Sequence, residues 1–243
     1  METRKWGETP SFGPRQWLRH RLLLKELKSR LLQGAVLDAG CGEGRLAELM
    51  AKMGFQVSGF DESRDSLKQA RERNPGLTFW TGKMDSIPVP DQSFDAIIAG
   101  DVLEHLEDDR AAVKEFRRIL KPGGIAVISV PADPEKWSID DDWSGHKRRY
   151  QQDQLAKLFS SAGFVQEAGY YWGWPITWIY YRLYYLPMLR RKLKASPGRS
   201  LPAGIKDSGL IPMLFWLGLI PDRLFSGAKW GIGLIGVFKK PSA

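Results

Sequence analysis

The sequence predicts an α/β protein built on a doubly wound, mostly parallel sheet of seven strands. Short apolar segments alternate with amphipathic helical segments from Val36 to Val130, which is typical of a sheet with helices on both faces. A glycine-rich turn follows the first apolar segment, and acidic residues follow the ends of later ones. Because open α/β sheets bind ligands at the carboxyl ends of their strands, these residues are expected to form one site.

The predicted elements can be placed one by one along the chain. In order, they are a helix over 14–33, a strand ending at Ala39, a helix from Arg45 to Lys52, strands over 56–60, 77–80 and 94–99, a helix through Leu106, Val113, Phe116 and Leu120, a strand over 125–130, a helix over 152–162, a strand starting at Gly163 and a last strand over 232–239. We expect a single domain with a capping helix (14–33), a ligand-binding core (34–170), an insertion (171–230) and a final strand (231–240).

The predicted first helix has two interpretations. Its apolar stripe consists of Trp17, Leu24, Leu27 and Leu31, and Gly34 is predicted to end it in the C′ position. In one interpretation the helix packs on the sheet edge. In the other its start, around Trp17, His20 and Arg21, folds over the ligand cleft as a lid. Amphipathicity does not choose between them.

The turn after the first strand contains Gly40, Gly42 and Gly44. A strand that turns sharply into a helix needs residues without a Cβ, and N–H groups at a helix start attract electron-rich ligand groups. A dinucleotide-binding turn has the spacing G-x-G-x-x-G, whereas this turn reads G-x-G-x-G, with Asp38 two residues before it. A carboxylate there repels a pyrophosphate and suits a ligand with a cationic end. The turn therefore argues against NAD and FAD.

The pattern D-x-G-x-G-x-G at 38–44 resembles motif I of the class I S-adenosylmethionine-dependent methyltransferases. Val-Leu-Glu-His-Leu at 102–106 and Leu-Lys-Pro-Gly-Gly at 120–124 are similar to segments of its small-molecule (type 11-like) branch. The resemblance covers about residues 36–169. It implies an enzyme with S-adenosylmethionine as the cofactor and an antiparallel last strand.

The predicted cofactor residues stand at the strand ends. Asp61, at the tip of the second strand, can accept hydrogen bonds from both ribose hydroxyls. The resemblance places Met84 beside the adenine and makes Asp85 an acceptor from its amino group. For Asp38, a hydrogen bond to the glycine loop is the alternative to contact with the ligand. The full predicted set is Asp38, Gly40, Cys41, Gly42, Asp61, Glu62, Met84, Asp85, Gly100 and Asp101.

Cys41 is the only cysteine, so it cannot form a disulfide within the chain. We interpret it as a small residue that fills the loop rather than as a nucleophile. A single thiol and no recognisable signal peptide indicate a reducing, cytoplasmic compartment.

The basic charge of the chain is concentrated in its C-terminal third. Residues 1–170 have a net charge of −1, whereas residues 171–243 carry 11 Lys or Arg and two acids, together with ten of the 17 Trp and Tyr residues. About sixty residues, Tyr171 to Trp230, separate the two last predicted strands, and a connection of that length is usually functional. Its apolar runs, 174–187 and 210–220, fall short of the ~20 residues of a membrane-spanning helix.

Three interpretations of the insertion remain open. It is a helical cap over the active site, a cap that also rests on an anionic membrane surface and admits a lipid-like substrate, or a nucleic-acid surface. The third is disfavoured because the basic residues lie among long aliphatic runs. The oligomeric state is not predicted.

The predicted catalytic residues are His105, after the fourth strand, and His146, in the loop after the fifth. His146 is expected to act on the substrate as a base or as a hydrogen-bonding group. For His105 the alternative is a structural role, in which it only caps or packs the following helix. The pair Glu104 and His105 resembles one that some quinone O-methyltransferases use near a divalent metal. Because the sequence shows only two possible ligands and no third, we expect no metal site here.

The predicted function is methyl transfer from S-adenosylmethionine to a small or lipid-like acceptor, with oxygen favoured over nitrogen or carbon. The alternatives are RNA methylation and a non-catalytic subunit that keeps the fold. Gly-Asp-Val-Leu at 100–103 stands where a base-flipping motif would have Asn/Asp-Pro-Pro-Tyr, which disfavours RNA.

Overall fold

A computed structural model describes residues 13–195 and 230–242, which form a seven-stranded sheet flanked by helices. The strands are β1 (Ala35–Ala39), β2 (Gln56–Asp61), β3 (Thr78–Thr81), β4 (Phe94–Gly100), β5 (Leu120–Pro131), β6 (Val165–Trp172) and β7 (Gly233–Lys239). Their order is β3-β2-β1-β4-β5-β7-β6. Only β7 runs antiparallel to its neighbours, β5 and β6. The predicted fold class is confirmed.

The helices connect successive strands and cover both faces of the sheet. They are α1 (Pro14–Lys28), α2 (Arg45–Lys52), α3 (Arg64–Arg73), α4 (Asp109–Ile119), α5 (Ile139–Ser144), α6 (Gln152–Ser161), α7 (Ile176–Tyr180) and α8 (Leu186–Ala195). A π-helical turn over Tyr181–Tyr185 joins α7 to α8, and a 3₁₀ turn spans Leu103–His105. The helical insertion thus precedes the last strand, as predicted.

The core has two halves because successive strand residues point to opposite faces. Ile97 of β4 is fully buried in the half that contains Phe116 of α4 and Phe159 of α6. Ile98 is fully buried in the other half, with Leu23 of α1. The near-continuous apolar strands are those of a sheet covered on both sides.

The first helix is shorter than predicted. It ends at Lys28, and Ser29 is its C-cap. The Ser29 hydroxyl donates to the carbonyl of Glu26, and the backbone N–H of Arg30 donates to the carbonyl of Leu27. This tightened last turn satisfies the terminal carbonyls before Gly34 is reached, so Gly34 leads into β1 instead of capping the helix.

Two boundaries around β5 differ from the prediction. Leu106 lies outside α4, because Asp108 accepts from the backbone N–H of Ala111 and begins the helix there. Strand β5 begins at Leu120 rather than 125, and a register shift opposite Phe94 and Ala96 accommodates the intervening Lys-Pro-Gly-Gly.

The insertion also begins later than predicted. Tyr171 and Trp172 belong to β6, where they pair with Leu234 and Gly233 of β7, and the sheet ladder therefore continues to Trp172. The predicted apolar run 210–220 lies outside the described residues. Within 13–195 and 230–242, none of the helices combines the length and the apolar character needed to cross a membrane.

Candidate active site

A cavity of about 380 Å³ lies at the carboxyl ends of β1, β2 and β4. Its lining residues are Gly13, Arg15, Gln16, Arg19, His20, Asp38, Gly40, Cys41, Gly42, Glu43, Arg45, Leu46, Asp61, Glu62, Ser63, Ser66, Met84, Gly100, Asp101, Val102, His105, Leu106, Ser144, His146, Tyr180, Tyr181 and Tyr185. The structure therefore brings together both predicted histidines and nine of the ten predicted cofactor residues. Asp85 is the exception, since it is exposed and not part of this lining.

The glycine loop makes one wall of this cavity. Gly40 has a φ of 77°, and a Cβ there would collide with the side chain of Val102. Gly42 has a φ of 52°, and a Cβ there would meet only open space. The backbone N–H groups of Gly40 and Cys41 donate to the carbonyl of Phe60. The loop is thus held against β2, with Gly42 facing the cavity.

Asp61 and Asp38 lie on either side of this loop. Asp61 Oδ2 accepts from the Gly42 N–H at 2.8 Å, and Oδ1 accepts from the Ser63 N–H at 2.8 Å. Asp38 is almost fully buried, its carboxyl accepts from the backbone of Ala47 in α2, and its Oδ2 has no hydrogen-bond partner. Burial, followed by the charge of Asp61, raises the pKa of Asp38 to about 7.

The other predicted cofactor residues take different places in the lining. Met84 and Cys41 are buried, and burial raises the pKa of the Cys41 thiol, which makes the thiolate nucleophile unfavourable. Asp101 has a φ of 57° and accepts from Ser129 Oγ at 2.8 Å. Its other carboxylate oxygen pairs with Arg19 of α1. Glu62 lies at the exposed edge.

The lining fits S-adenosylmethionine, as three observations show. The loop offers open space at Gly42. The partnerless Asp38 Oδ2 is a buried acceptor that a cationic group would satisfy. The cavity volume lies within the range of small-molecule sites.

Glu104, His105 and His146 form a second cluster, where the 3₁₀ turn meets the loop after α5. Their possible ligand atoms all lie within 4.8 Å of one another. The two imidazole rings meet edge to face with centroids 4.8 Å apart. Glu104 is completely buried, and burial raises its pKa to about 8.

Asp141 orients His146. Its Oδ1 lies 2.8 Å from His146 Nδ1, and its two oxygens also accept from Arg149 Nε and Nη2 at 2.7 and 2.8 Å. Burial opposes ionisation of Asp141, but the hydrogen bonds from His146 and Arg149 outweigh it and lower its pKa. Asp141 is therefore an anion that fixes the imidazole with Nε2 turned away from it.

Helix α1 both packs on the sheet and lines the cavity. Leu23 and Leu27 are fully buried against the sheet, while Arg15, Gln16, Arg19 and His20 reach the cavity. Burial, followed by the charges of Arg19 and Arg45, lowers the pKa of His20 to about 3, so His20 is neutral. Trp17 and Arg21 stack on each other and are not part of the lining.

A second cavity of about 260 Å³ adjoins the first. The two cavities share four lining residues, which are Arg15, Asp101, His146 and Tyr181. The second is otherwise bordered by the segment between β5 and α6, by the ends of β5 and β6, and by the α7–α8 segment. Its polar part is Glu135, Lys136, Ser138, Asp140, Arg149 and Arg182, and its apolar part includes Val130, Trp172, Trp178, Leu186 and Ile232. Trp172 Nε1 is buried without a hydrogen-bond partner.

The sequence alone indicates no role for Arg15, Asp140, Tyr181 and Tyr185. Asp140 accepts from Arg15 Nη1 at 2.8 Å and from Tyr185 Oη at 2.9 Å. No local spacing reveals pairs so distant in sequence. The capping box of Ser138 and Asp141 and the C-cap glycine Gly145 are local signals that could have predicted α5.

Residues around this site are similar to those of known methyltransferases. A family model described as a methyltransferase domain (Methyltransf_11) matches residues 37–128. A "Probable S-adenosylmethionine-dependent methyltransferase" of Mycolicibacterium smegmatis is 33% identical over 153 residues, which are 61% of this chain and 59% of the relative. Demethylmenaquinone methyltransferase of Chlorobaculum parvum is 42% identical over 100 residues, covering 41% of this chain and 42% of the relative.

The solved structures agree on the fold. Phosphoethanolamine N-methyltransferase 2 of Haemonchus contortus, in complex with S-adenosyl-L-methionine, aligns with a TM-score of 0.62 and 19% identity over 93% of this chain and 53% of that one. The chain spans less than two thirds of the curated relatives described above. The matched domain, the relatives and the fold together support a class I S-adenosylmethionine-dependent methyltransferase.

Proposed function

We propose that this chain transfers a methyl group from S-adenosylmethionine to an oxygen of a small or lipid-like acceptor held in the second cavity. The observation that carries the proposal is the wall common to both cavities, formed by Arg15, Asp101, His146 and Tyr181. A donor in the first cavity and an acceptor in the second would meet there. Such alignment is the main contribution an enzyme makes to an in-line displacement.

The first cavity would hold the cofactor through groups already positioned. Asp38 would receive its cationic end, Gly42 would allow close approach to the backbone, and Asp61 would accept from the ribose hydroxyls. When bound, S-adenosylmethionine supplies a methyl group already activated by a positively charged sulfur. The protein therefore needs to orient both molecules and to exclude water.

The second cavity favours a methyl acceptor that has an apolar body and an oxygen able to accept a hydrogen bond. Trp172, Leu186 and Ile232 are buried apolar residues of its wall. The partnerless Trp172 Nε1 offers one N–H that an acceptor oxygen would satisfy. The name of the Chlorobaculum parvum relative gives demethylmenaquinone as its substrate, which supports a lipid-like acceptor here.

We propose that His146 and His105 act at the reacting end of the acceptor. Both line the first cavity, and His146 also lines the second. A hydroxyl acceptor must lose a proton near pH 7 before or during transfer. We place this proton loss at the cluster that His105 and His146 form with Glu104.

We also propose that the α7–α8 segment rests on an anionic membrane surface. Ile179, Leu183 and Tyr184 are exposed by 42%, 74% and 59%, and Arg190 and Arg191 are exposed one to two turns further on. Aromatic and aliphatic side chains beside cations suit the interface of anionic lipids. Co-sedimentation with vesicles containing phosphatidylserine at low salt tests this contact, and equal recovery with neutral vesicles would contradict it.

The test of methyl transfer is a screen with tritiated methyl donor against lipid, small-molecule and RNA fractions of a cell extract. The proposal expects label in the lipid or small-molecule fraction, released as a volatile product by chemistry that cleaves methyl ethers or esters. Label confined to RNA would support the alternative of RNA methylation. No label in any fraction, with cofactor bound, would support a non-catalytic subunit.

A further inference from the structure

The second cavity is too small for the whole of a lipid-like acceptor. Its volume of about 260 Å³ lies below the roughly 300 Å³ at which the range of drug-sized ligand sites begins. A head group fits into that space, but a long apolar chain does not. The remainder of such an acceptor must therefore leave the cavity along a surface outside it.

A buried donor group marks the place for the head group. The indole of Trp172 lies closely on β7, since a Cβ at Gly233 would approach Trp172 Nε1 to 2.5 Å. This indole is buried, and its N–H has no hydrogen-bond partner among the residues that the structure describes. An oxygen of the head group would satisfy the N–H. The apolar chain would then continue away from Trp172.

Three further indoles connect this cavity to the protein surface. Trp178 lines the cavity and meets Trp174 edge to face, with ring centroids 5.2 Å apart. Trp174 in turn stacks on Trp230, with ring centroids 4.7 Å apart and an angle of 23° between the planes. We call Trp174, Trp178 and Trp230 the indole row.

Exposure increases along the indole row. Trp178 and Trp174 are partly buried, whereas Trp230 is 51% exposed. A single exposed hydrophobic side chain is ordinary on a protein surface, but contiguous apolar surface marks binding sites. Because this apolar surface begins in the wall of the second cavity, the ligand of that cavity is the occupant that continuity favours.

We propose that the indole row binds the apolar chain of the methyl acceptor while the second cavity holds its head group. This inference rests on the proposed function, and it names the substrate class as an amphiphile with a small polar head and a long apolar chain. A chain that lies on the row removes further apolar surface from water. A small polar acceptor would leave the row unused.

The row should therefore act on specificity and not on the chemical step. Its three indoles do not belong to the wall that the two cavities share, which consists of Arg15, Asp101, His146 and Tyr181. Chain length should change the affinity for the acceptor, because the reacting oxygen stays at that wall.

The test uses octanoate, decanoate, dodecanoate and tetradecanoate as probes, each below its micelle-forming concentration. Calorimetry measures their binding to the full-length protein saturated with the demethylated cofactor product. The head group is constant in this series, so differences in affinity report on the chain. In the wild type we expect the affinity to rise about fourfold for each two methylenes added, which is half the logarithmic gain of full burial.

Trp230→Ala removes the exposed end of the row. Octanoate should bind this variant as it binds the wild type, whereas the gain from dodecanoate to tetradecanoate should be lost. Trp230→Phe keeps an aromatic ring and should retain most of that gain. The matched control is Val165→Ala, because Val165 is 58% exposed at the opposite end of β6 from Trp172, and its affinities should equal those of the wild type.

The proposal is overturned if none of the four probes binds, if the affinity is equal from octanoate to tetradecanoate, or if Trp230→Ala keeps the full gain. Loss of vesicle binding in Trp230→Ala with that gain intact would assign the row to a membrane surface instead. A protein that shows the gain but transfers no methyl would contradict the proposed function alone. A protein that methylates a lipid acceptor without showing the gain would contradict this inference alone.

Discussion

Oδ2 of Asp140 lies 2.8 Å from Nη1 of Arg15, and this ion pair joins α5 to the start of α1. Tyr185 Oη donates to the other oxygen of Asp140 at 2.9 Å, so the helical insertion reaches the same buried carboxylate. The Arg15 guanidinium also lies 5.4 Å from the ring centroid of Tyr181. Arg15 thus connects α1, α5 and the helical insertion, the three segments that surround the shared wall of the two cavities.

Arg15→Gln should loosen this connection. Burial opposes ionisation of Asp140, but Arg15 outweighs it and lowers the pKa, so the pair stabilises the protein above about pH 4 and loses this effect as the pH falls below that value. Because Arg15 is one-third exposed, we expect a loss of only about 1–2 kcal/mol at pH 7. Hydrogen exchange should increase in the first turns of α1. Arg182→Gln, an exposed cation of the insertion, is the control; equal exchange in both variants would show that the pair does not hold α1.

Substitution of the two loop glycines should separate folding from cofactor binding. Gly40→Ala forces a Cβ into Val102 at a positive φ, and it should lower the free energy of unfolding by about 2–3 kcal/mol. Gly42→Ala meets no neighbour but also has a positive φ, which costs about 1 kcal/mol. Its main effect should be weaker cofactor binding, measured by calorimetry.

Gly76→Ala is the matched control, because Gly76 has open space and no positive φ. Its stability and cofactor affinity should equal those of the wild type. Undiminished cofactor affinity in Gly42→Ala would mean that the loop backbone is not in contact with the ligand.

Cofactor affinity should depend on pH through Asp38. Its pKa of about 7 is raised above its ordinary value, so the folded, cofactor-free protein binds a proton at Asp38 that the unfolded chain has already lost. The contribution of Asp38 to stability therefore declines as the pH rises from about 4 to 7. A cationic ligand prefers the ionised form, and binding below pH 7 must release a proton. We expect affinity to rise about tenfold per unit between pH 5.5 and 6.5 and then to level off. Calorimetry in two buffers of different ionisation enthalpy counts the proton.

Asp38→Asn should bind more weakly and without this pH dependence. If the variant keeps the wild-type slope, another group is titrating and Asp38 does not contact the cationic end.

His146→Ala should reduce methyl transfer about 10²–10⁴-fold while cofactor affinity changes little, because the predicted cofactor contacts lie around Asp38 and Asp61. The measurement is single-turnover transfer of labelled methyl at saturating cofactor. Lys147→Gln is the comparison, since this exposed neighbour pairs only with exposed Glu107 among the described residues. Unchanged turnover in His146→Ala would remove His146 from the catalytic residues.

Much of the fold and of the cofactor cavity could be predicted because both depend on local patterns. The glycine turn at 40–44 and the acids Asp38 and Asp61 are read directly from the sequence, and sheet geometry brings strand ends together. Asp85 shows the limit of that reasoning: its exposed side chain in the loop after β3 lies outside the cavity lining, and its predicted contact with the adenine remains a prediction.

The acceptor side could not be predicted in the same way. The Asp140, Asp141 and Asp142 run looks like a solvated loop, yet Asp140 and Asp141 are buried because Arg15 and Arg149 compensate their charges. These partners come from α1 and from the loop after α5. Only tertiary packing reveals that the buried Glu104 carboxyl lacks a hydrogen-bond partner among the described residues.

Calorimetric titration of the purified chain with S-adenosylmethionine and with its demethylated product tests whether the first cavity is a methyl-donor site. We expect one binding site per chain for each compound, with weaker binding in Asp38→Asn and wild-type affinity in Gly76→Ala. A folded wild-type protein that binds neither compound would contradict the assignment of the cavity as a methyl-donor site, and with it the proposed function.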